Sequence, residues 1–286
     1  MRTHRSSMLL SVAAHTALIP LALITLIPFA WLVVASLKAP EDFFSSMFLP
    51  PGDGPFGIGW DKLTWGHYRR LFTELGIGRA MLNSVFLSSV TALVATLTAA
   101  AGGYALARLR FAGRGVVTLL VLTALIIPPP LLLAPTYQLL FDLGLLDSFA
   151  GLILPAAAPA FGVFLFRQAT LQSVPRELLD AARIDGCSEI GIFFSVVLPL
   201  VRPMLGAFML ITFLAMWNNF VWPQVVLQSS EKFPLAVAVS QLKGVYKQDY
   251  GLLMAGTMIS VLPPAVLFLL LQKEFISGLT AGAVKG

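Results

Sequence analysis

Charge is scarce in this chain. Of 286 residues only 12% are Asp, Glu, Lys or Arg, about half of the ~25% usual in soluble domains. Hydrophobic residues make up 57% and mean hydropathy is +0.85. So few polar side chains do not cover a water-soluble fold of this length, which excludes an ordinary cytosolic enzyme and a disordered tail. Cysteine is nearly absent as well. The single Cys187 excludes an intrachain disulfide framework and a cysteine metal cluster. The three histidines, His4, His15 and His67, lie far apart and show no metal-ligand spacing. No acid or base lies centrally in any long apolar run. Proton-coupled pumps carry such groups in the membrane, so their absence argues against that class. The phosphate-cradling loop G-x-x-x-x-G-K-[ST] is also missing, and no Gly-Lys pair occurs anywhere. If ATP drives this protein, another chain binds it. Neither H-E-x-x-H nor G-x-S-x-G is present, which leaves a membrane hydrolase little support.

What the chain does have is six long stretches free of Asp, Glu, Lys and Arg: 6–37, 81–107, 115–141, 148–166, 203–230 and 251–272. A helix needs ~20 apolar residues to cross a bilayer. The reading is an all-α polytopic membrane protein, one transmembrane domain over 1–286. Its six spans lie near 14–37, 81–107, 115–138, 148–168, 203–223 and 251–272. An outside loop covers 38–80, a polar loop 169–202 and a tail 273–286. The run 233–242 is too short to span and reads as a loop or interfacial segment. Arg2 and Arg5 before the first stretch also fit a secretory leader. A leader's apolar region is ~7–15 residues, however, and this one is about twice that.

Orientation follows from the basic residues of the short loops. Arg108, Arg110 and Arg114 crowd the second loop. The third has Asp142 and Asp147 and no base, and the fourth carries Arg167, Arg176, Arg183 and Arg202. This places loops two and four and both termini in the cytoplasm, together with 11 of the 19 Lys and Arg. Membrane topology thus accounts for the net charge of +5 without nucleic acid. Ten of the 19 prolines fall inside spans, not counting Pro203 and Pro223 at the two ends of the fifth. They read as kinks, or, at Pro128–Pro130, as a break where the third span lines a cavity. The small residues 98–103 and 156–158 suit close helix packing.

The fourth loop is the most informative segment. Residues 173–203 read as two short helices around a hinge. Ser173 is placed to cap the first helix with Pro175 in its first turn. Leu178 and Ala182 share its apolar face, and Gly186 takes the left-handed conformation that ends it. Ser188 caps the second helix and Pro199 bends its end. A helix this short is unstable alone and needs a surface to dock on. The lipid headgroups are one such surface and a partner protein is another.

Asp180-Ala181-Ala182, three residues, Gly186, nine residues, then Val196-Val197-Leu198-Pro199 closely resembles the E-A-A-x3-G-x9-I-x-L-P loop. That loop marks the inner-membrane permease subunits of ATP-driven (ABC) importers. Asp180 and Val196 depart from the pattern but keep its charge and bulk. The turn 104–114, Asn83-Ser84, Trp217-Asn218 and the ending 278–286 are similar to the binding-protein-dependent carbohydrate-uptake permeases, the last to the maltose-type second subunit. The likeness covers roughly 15–286. It implies a type I ABC importer permease fold, six transmembrane helices with cytoplasmic coupling helices between spans four and five. It also implies a transport subunit rather than an enzyme, in a bacterial or archaeal cytoplasmic (inner) membrane.

By the same resemblance, Glu177, Asp180, Ala181, Ala182, Asp185, Gly186, Leu198 and Pro199 couple to a cytoplasmic ATPase. Gly278, Leu279, Thr280, Gly282 and Lys285 form an ATPase-contacting tail, with a disordered tail as the alternative. The implied partners are a second permease subunit (a different chain), two ATPase subunits, an extracytoplasmic sugar-binding protein and membrane lipid, with no nucleic acid. No cofactor sits on this chain, since ATP and Mg belong to the ATPase. A neutral polyol suits aromatic faces and amides. Asn83, Tyr137, Trp217, Asn218 and Asn219 are therefore the candidate substrate path, whereas Tyr104 and Trp222 read first as membrane-interface aromatics. A polyamine or phosphate importer of the same superfamily is the runner-up, and a stand-alone secondary transporter comes after it. Gly186→Val puts a β-branched residue in a left-handed conformation, at roughly 1–2 kcal/mol. It is expected to reduce copurification with the ATPase. Full ATPase recovery with normal transport would count against the hinge.

Overall fold

The computed structural model describes residues 2–243 and 249–280. It is helical, and its strand-like pairing among the described residues is two isolated bridges, Lys38 with Leu63 and Pro51 with Ile58. In order, the helices are α1 (Arg2–Leu37), α2 (Gly66–Thr73), α3 (Ile77–Arg108), α4 (Arg114–Ala124), α5 (Leu133–Asp142), α6 (Ala150–Ala156), α7 (Ala160–Ser173), α8 (Arg176–Ile184) and α9 (Glu189–Ile192). They continue with α10 (Leu198–Leu200), α11 (Arg202–Trp217), α12 (Val221–Val226), α13 (Leu235–Ser240) and α14 (Tyr250–Thr280).

Among the described residues, three helices are long and apolar enough to cross a membrane alone: Ala14–Leu37 of α1, α3, and Tyr250–Leu270 of α14. Three bent pairs bring the total to as many as six. Each bend falls at proline. A 106° bend separates α4 from the 3₁₀ turn Pro129–Leu132 and α5. Pro155 and Pro159 flank the 41° bend between α6 and α7, and Pro199 and Pro203 flank the 84° bend at Val201. Proline has no N–H to donate, and it pushes the residue before it away from helix.

The chain divides into two compact units, Met1–Ile77 with Val239–Val261 and Gly78–Ala238 with Leu262–Gly286. In the first, the segment after α1 is pinned by polar contacts. The Lys38 side chain is fully buried and its Nζ donates to the Ser46 carbonyl (2.5 Å). Burial holds that amine below the usual lysine range, against the opposing pull of Asp42. His67, also buried, donates from Nε2 to the Lys38 carbonyl (2.8 Å), and Arg70 pairs with Asp249 (3.0 Å). A side chain at Gly251 would run into the His67 ring, so glycine there makes room for this network.

The second unit is assembled on α3. Ala92, Ala95, Ala99 and Ala100 form a small buried stripe. At Gly103 an added Cβ would lie 2.6 Å from both the Phe166 Cβ and the Arg167 backbone nitrogen. On α7, a Cβ at Gly162 would meet the Phe208 ring of α11 at 2.5 Å and Ala99 at 2.8 Å. Small residues thus bring α3 and α7 to backbone distance and seat the Phe208 ring of α11 against α7, the packing the run 98–103 suggests. Around this seam a core forms from Tyr104, Phe166, Val174, Leu179, Ile192, Phe193, Val197 and Phe208. Gly103→Val is expected to destabilise the chain by about 1–3 kcal/mol through overpacking, read as a lower unfolding midpoint in detergent. Gly115→Ala, whose Cβ meets nothing within 4 Å, is expected to leave the midpoint unchanged or slightly raised. Equal midpoints for both variants would contradict the close approach.

Candidate functional site

The fourth loop is built outward from that core. Val174 is extended (φ −115°, ψ 100°) because Pro175 follows it. The chain therefore turns at 174–175 and α8 starts at Arg176. Ser173 is the last residue of α7 and makes no cap for α8, which corrects the sequence expectation. Arg108, the last residue of α3, donates to the carbonyls of Leu171 (3.2 Å) and Val174 (2.5 Å). A cation thereby caps the C-terminus of α7.

On α8 the buried residue is Leu179, 1% exposed, with Ala182 packed beside it. Leu178 is 43% exposed and Ile184 87%. The inner face is therefore Leu179–Ala182 rather than Leu178–Ala182. Gly186 has φ +84°. The Gly186 amide bonds the Arg183 carbonyl (3.0 Å) and the Cys187 amide that of Ala182 (3.0 Å). This is a Schellman ending, and it needs the left-handed residue the sequence supplies. Ser188 accepts from the Gly191 amide (3.1 Å) and caps α9, as expected. A π turn, Phe193–Val197, then leads through α10 to the bend at Val201.

A polar clasp spans the Gly186 hinge. Arg183 donates to Asp180 Oδ1 and to Glu189 Oε1, both at 2.7 Å, and the Tyr104 hydroxyl donates to Glu189 Oε2 (2.6 Å). The Arg183 bond, then the Tyr104 bond, hold the Glu189 carboxyl below the usual range, and Glu189 in turn raises the Arg183 guanidinium. Tyr104 is 3% exposed, so it belongs to this clasp and not to a lipid-facing belt. Of the other residues the sequence resemblance assigns to coupling, Glu177, Ala181, Asp185 and Pro199 are exposed and Leu198 packs on the core. In the tail, Gly278, Leu279 and Thr280 continue the backbone of α14, beyond the sequence boundary at 272, since no proline follows Pro264. Gly282 and Lys285 lie outside the described residues.

Two cavities of about 450 and 260 Å³ share a wall of Pro155, Asn219 and Trp222. Pro129 and Pro130 line the larger, so the break in the third span does open onto a cavity. Thr91 lines the smaller. Its hydroxyl and the Trp222 indole N–H are buried with no hydrogen-bond partner among the described residues. Of the sequence candidates only Asn219 reaches these cavities. Its Oδ1 accepts from the Trp222 amide (3.3 Å). The Asn83 amide donates to the Glu231 (2.9 Å) and Phe233 (3.1 Å) carbonyls, and Asn218 caps its own helix at Leu214 (2.9 Å). Trp217 is buried and stacked on Phe213 (5.8 Å), and Tyr137 does not line either cavity. Thr91 carried no sequence signal, because one threonine in an apolar helix looks like any other.

Sequence reasoning also passed over Asp147, noted only as a loop acid. It sits at φ +50°, a conformation in which aspartate is several-fold enriched among non-glycine residues. Its carboxylate accepts from the Gln228 amide (3.0 Å), the Ser229 amide (3.0 Å) and hydroxyl (2.5 Å), and Lys232 Nζ (2.8 Å). These bonds, that of Lys232 foremost, hold it well below the usual carboxylate range.

Comparison with known proteins agrees with this architecture. Residues 94–281 match the family described as binding-protein-dependent transport system inner membrane component. An arabinooligosaccharides transport system permease protein of Halalkalibacterium halodurans is 43% identical over 78% of this chain and 80% of that one. Its counterpart in Bacillus subtilis is 39% identical over 93% and 92%. Among solved structures, a bacterial ABC transporter involved in import of the acidic polysaccharide alginate superposes with a TM-score of 0.80. That likeness covers 95% of this chain and 98% of that one at 22% identity, and it bears on the fold alone. The chain belongs to the family of binding-protein-dependent transport system inner membrane components.

Proposed function

We propose that this chain is one of two permease subunits of an ATP-driven sugar importer. It forms half of the translocation path and is moved by a cytoplasmic ATPase that grips the loop 173–199. The α8–Gly186–α9 loop carries the reading. It is rooted in the core by Leu179 and Ile192 and clasped by Arg183, and it leaves Leu178 and Ile184 exposed. Apolar side chains displayed on a braced, charged helix suit docking into a partner's cleft better than lying free in water. The tail from Gly278, in this reading, reaches the same ATPase. The arginines of loops two and four support a cytoplasmic position for this end and both termini. A second permease chain completes the path, a sugar-binding protein delivers to the opposite face, and ATP and Mg are held by the ATPase.

Sugar is supported by the arabinooligosaccharide permeases among the relatives and by the chemistry of the two cavities. An indole N–H and a hydroxyl without partners among the described residues, an amide, and the threonines Thr136 and Thr212 on an uncharged, largely apolar wall match a neutral polyol. They offer nothing to neutralise a polyamine or a phosphate.

Reconstitution with the partner permease, ATPase and binding protein tests this. Uptake of labelled oligosaccharide is expected only with ATP, and uptake by this chain alone in ATP-free vesicles would sink the reading. Trp222→Phe removes one buried donor worth about 1 kcal/mol or more, so transport efficiency should fall about 5-fold. Unchanged efficiency would remove Trp222 from the path. The clasp has a pH signature. Because the folded value of Glu189 is depressed, its contribution is fully present above the unfolded value near ~4.3 and is lost only as pH falls through the lower folded value. Coupling should therefore be insensitive to this group from pH 8 to 6, a window chosen well above ~4.3. Glu189→Gln should raise ATP hydrolysed per sugar at all pH values in that window. An unchanged ratio would show that the clasp is not needed for coupling.

A further inference from the structure

A third cavity, of about 680 Å³, lies where α3 ends, α4 begins and α8 packs. Arg108, Arg110, Arg114, Arg176 and Arg183 line it, with Asp180 and Glu189 as its only carboxylates among the described residues. Five cations face two anions, and both anions are already bound by Arg183 at 2.7 Å. Arg108 is spent on the carbonyls that end α7, and Arg114 makes one long bond to the Leu109 carbonyl (3.3 Å). Arg110 and Arg176 have no acid within ion-pair distance among the described residues. Forks of N–H donors around an open space match the oxygens of a phosphate, which guanidinium binds in bidentate fashion.

The surroundings show which phosphate fits. Phe111 at the rim is exposed, and α4 continues from Arg114 with Val116, Val117, Leu119 and Leu120 all exposed. A basic pocket at the end of a bilayer-crossing segment, opening onto an apolar helix face, has the layout of a headgroup site with room for acyl chains beside it. Leu178 and Ile184, the exposed apolar residues of α8, do not line the cavity.

We propose that this cavity is a binding site for a phosphate-bearing anion, with an anionic phospholipid headgroup as the source that α4 accommodates. That the lipid comes from the cytoplasmic leaflet rests on the orientation proposed above. The lipid would bridge α4 to α8 and brace the coupling loop against the membrane.

The test uses the full chain, purified in detergent, delipidated and titrated with short-chain phosphatidylglycerol, phosphatidylcholine and inorganic phosphate. Binding is read by native mass spectrometry. The expected result is at least ~10-fold tighter binding of phosphatidylglycerol than phosphatidylcholine, the strength of one charged hydrogen bond. The double variant Arg110→Gln/Arg176→Gln should erase that preference, and Arg69→Gln, an exposed arginine elsewhere, should keep it. Helicity and unfolding midpoint equal to wild type establish that the double variant is folded. Inorganic phosphate binding as tightly, and lost in the same variant, supports the site with a soluble anion as its source. Equal binding of the two lipids, with no phosphate bound, overturns the proposal. So does a double variant that keeps the lipid preference but loses the ATPase on copurification, which would assign the arginines to an acidic protein surface. The assay needs neither ATP nor sugar. A negative result alongside normal uptake therefore strikes the site alone and leaves the importer reading intact.

Discussion

The approach of α7 to α3 at Gly103 is the constraint on which the second unit depends. With no side chain at 103, the backbone of Arg167 and the Cβ of Phe166 lie against α3. That depth lets Arg108 reach the carbonyls that end α7. It also sets where α8 begins, because the chain must turn at Val174–Pro175 as soon as α7 is capped. In a bilayer, helices gain little from burying apolar surface against one another, so small residues that admit close contact are the available route to specific packing. Gly162 repeats the device toward α11.

The elements most legible in the sequence were those set by local chemistry. Long uncharged runs gave the spans, because a bilayer demands length and apolarity together. Gly186 and Ser188 announced themselves because a Schellman ending needs a left-handed residue and a cap needs a short oxygen. Pro128–Pro130 announced a break for the same local reason. Elements set by distant pairing were not legible. Asn83 lies 148 residues from Glu231 and Tyr104 lies 85 from Glu189, so nothing near either residue names its partner. Asn83 read as part of a substrate path because an amide suits a neutral polyol, and a loop carbonyl satisfies that amide as well as a hydroxyl does. Ser173 misled because capping residues are common at helix starts, while the proline two positions later decided where the start was.

The segment 226–235 has the opposite character from the α8–α9 loop. Asp147 gathers four donors from it, Asn83 holds two of its carbonyls, Arg79 pairs with Glu231 at 3.1 Å and Ser84 accepts the Leu235 amide at 2.7 Å. Irregular backbone near a membrane must have its polar groups satisfied by protein, and here the side chains of Asp147, Asn83 and Ser84 do so. A segment fixed at that many points does not rearrange easily. It is a firm backing for α12, whose Trp222 forms the wall shared by the two cavities.

Between the loop and that wall runs α11. It is one unbroken helix of 16 residues, about 24 Å at 1.5 Å per residue. At one end is the 84° bend at Val201, which joins the core beneath the α8–α9 loop. At the other the helix stops at Asn218, and Asn219 and Trp222 follow in the cavity wall. Hydrogen bonds along a helix resist bending within it, so a push on α9 and the π turn is absorbed at the two breaks and not between them. The breaks lie where prolines and capping residues make the backbone least regular. In the proposed reading, an apolar rod with joints at both ends converts a displacement at the loop into a displacement of Asn219 and Trp222. That conversion requires no charged group inside the membrane, which is why a permease driven from outside the bilayer can do without the intramembrane acids that the sequence lacks.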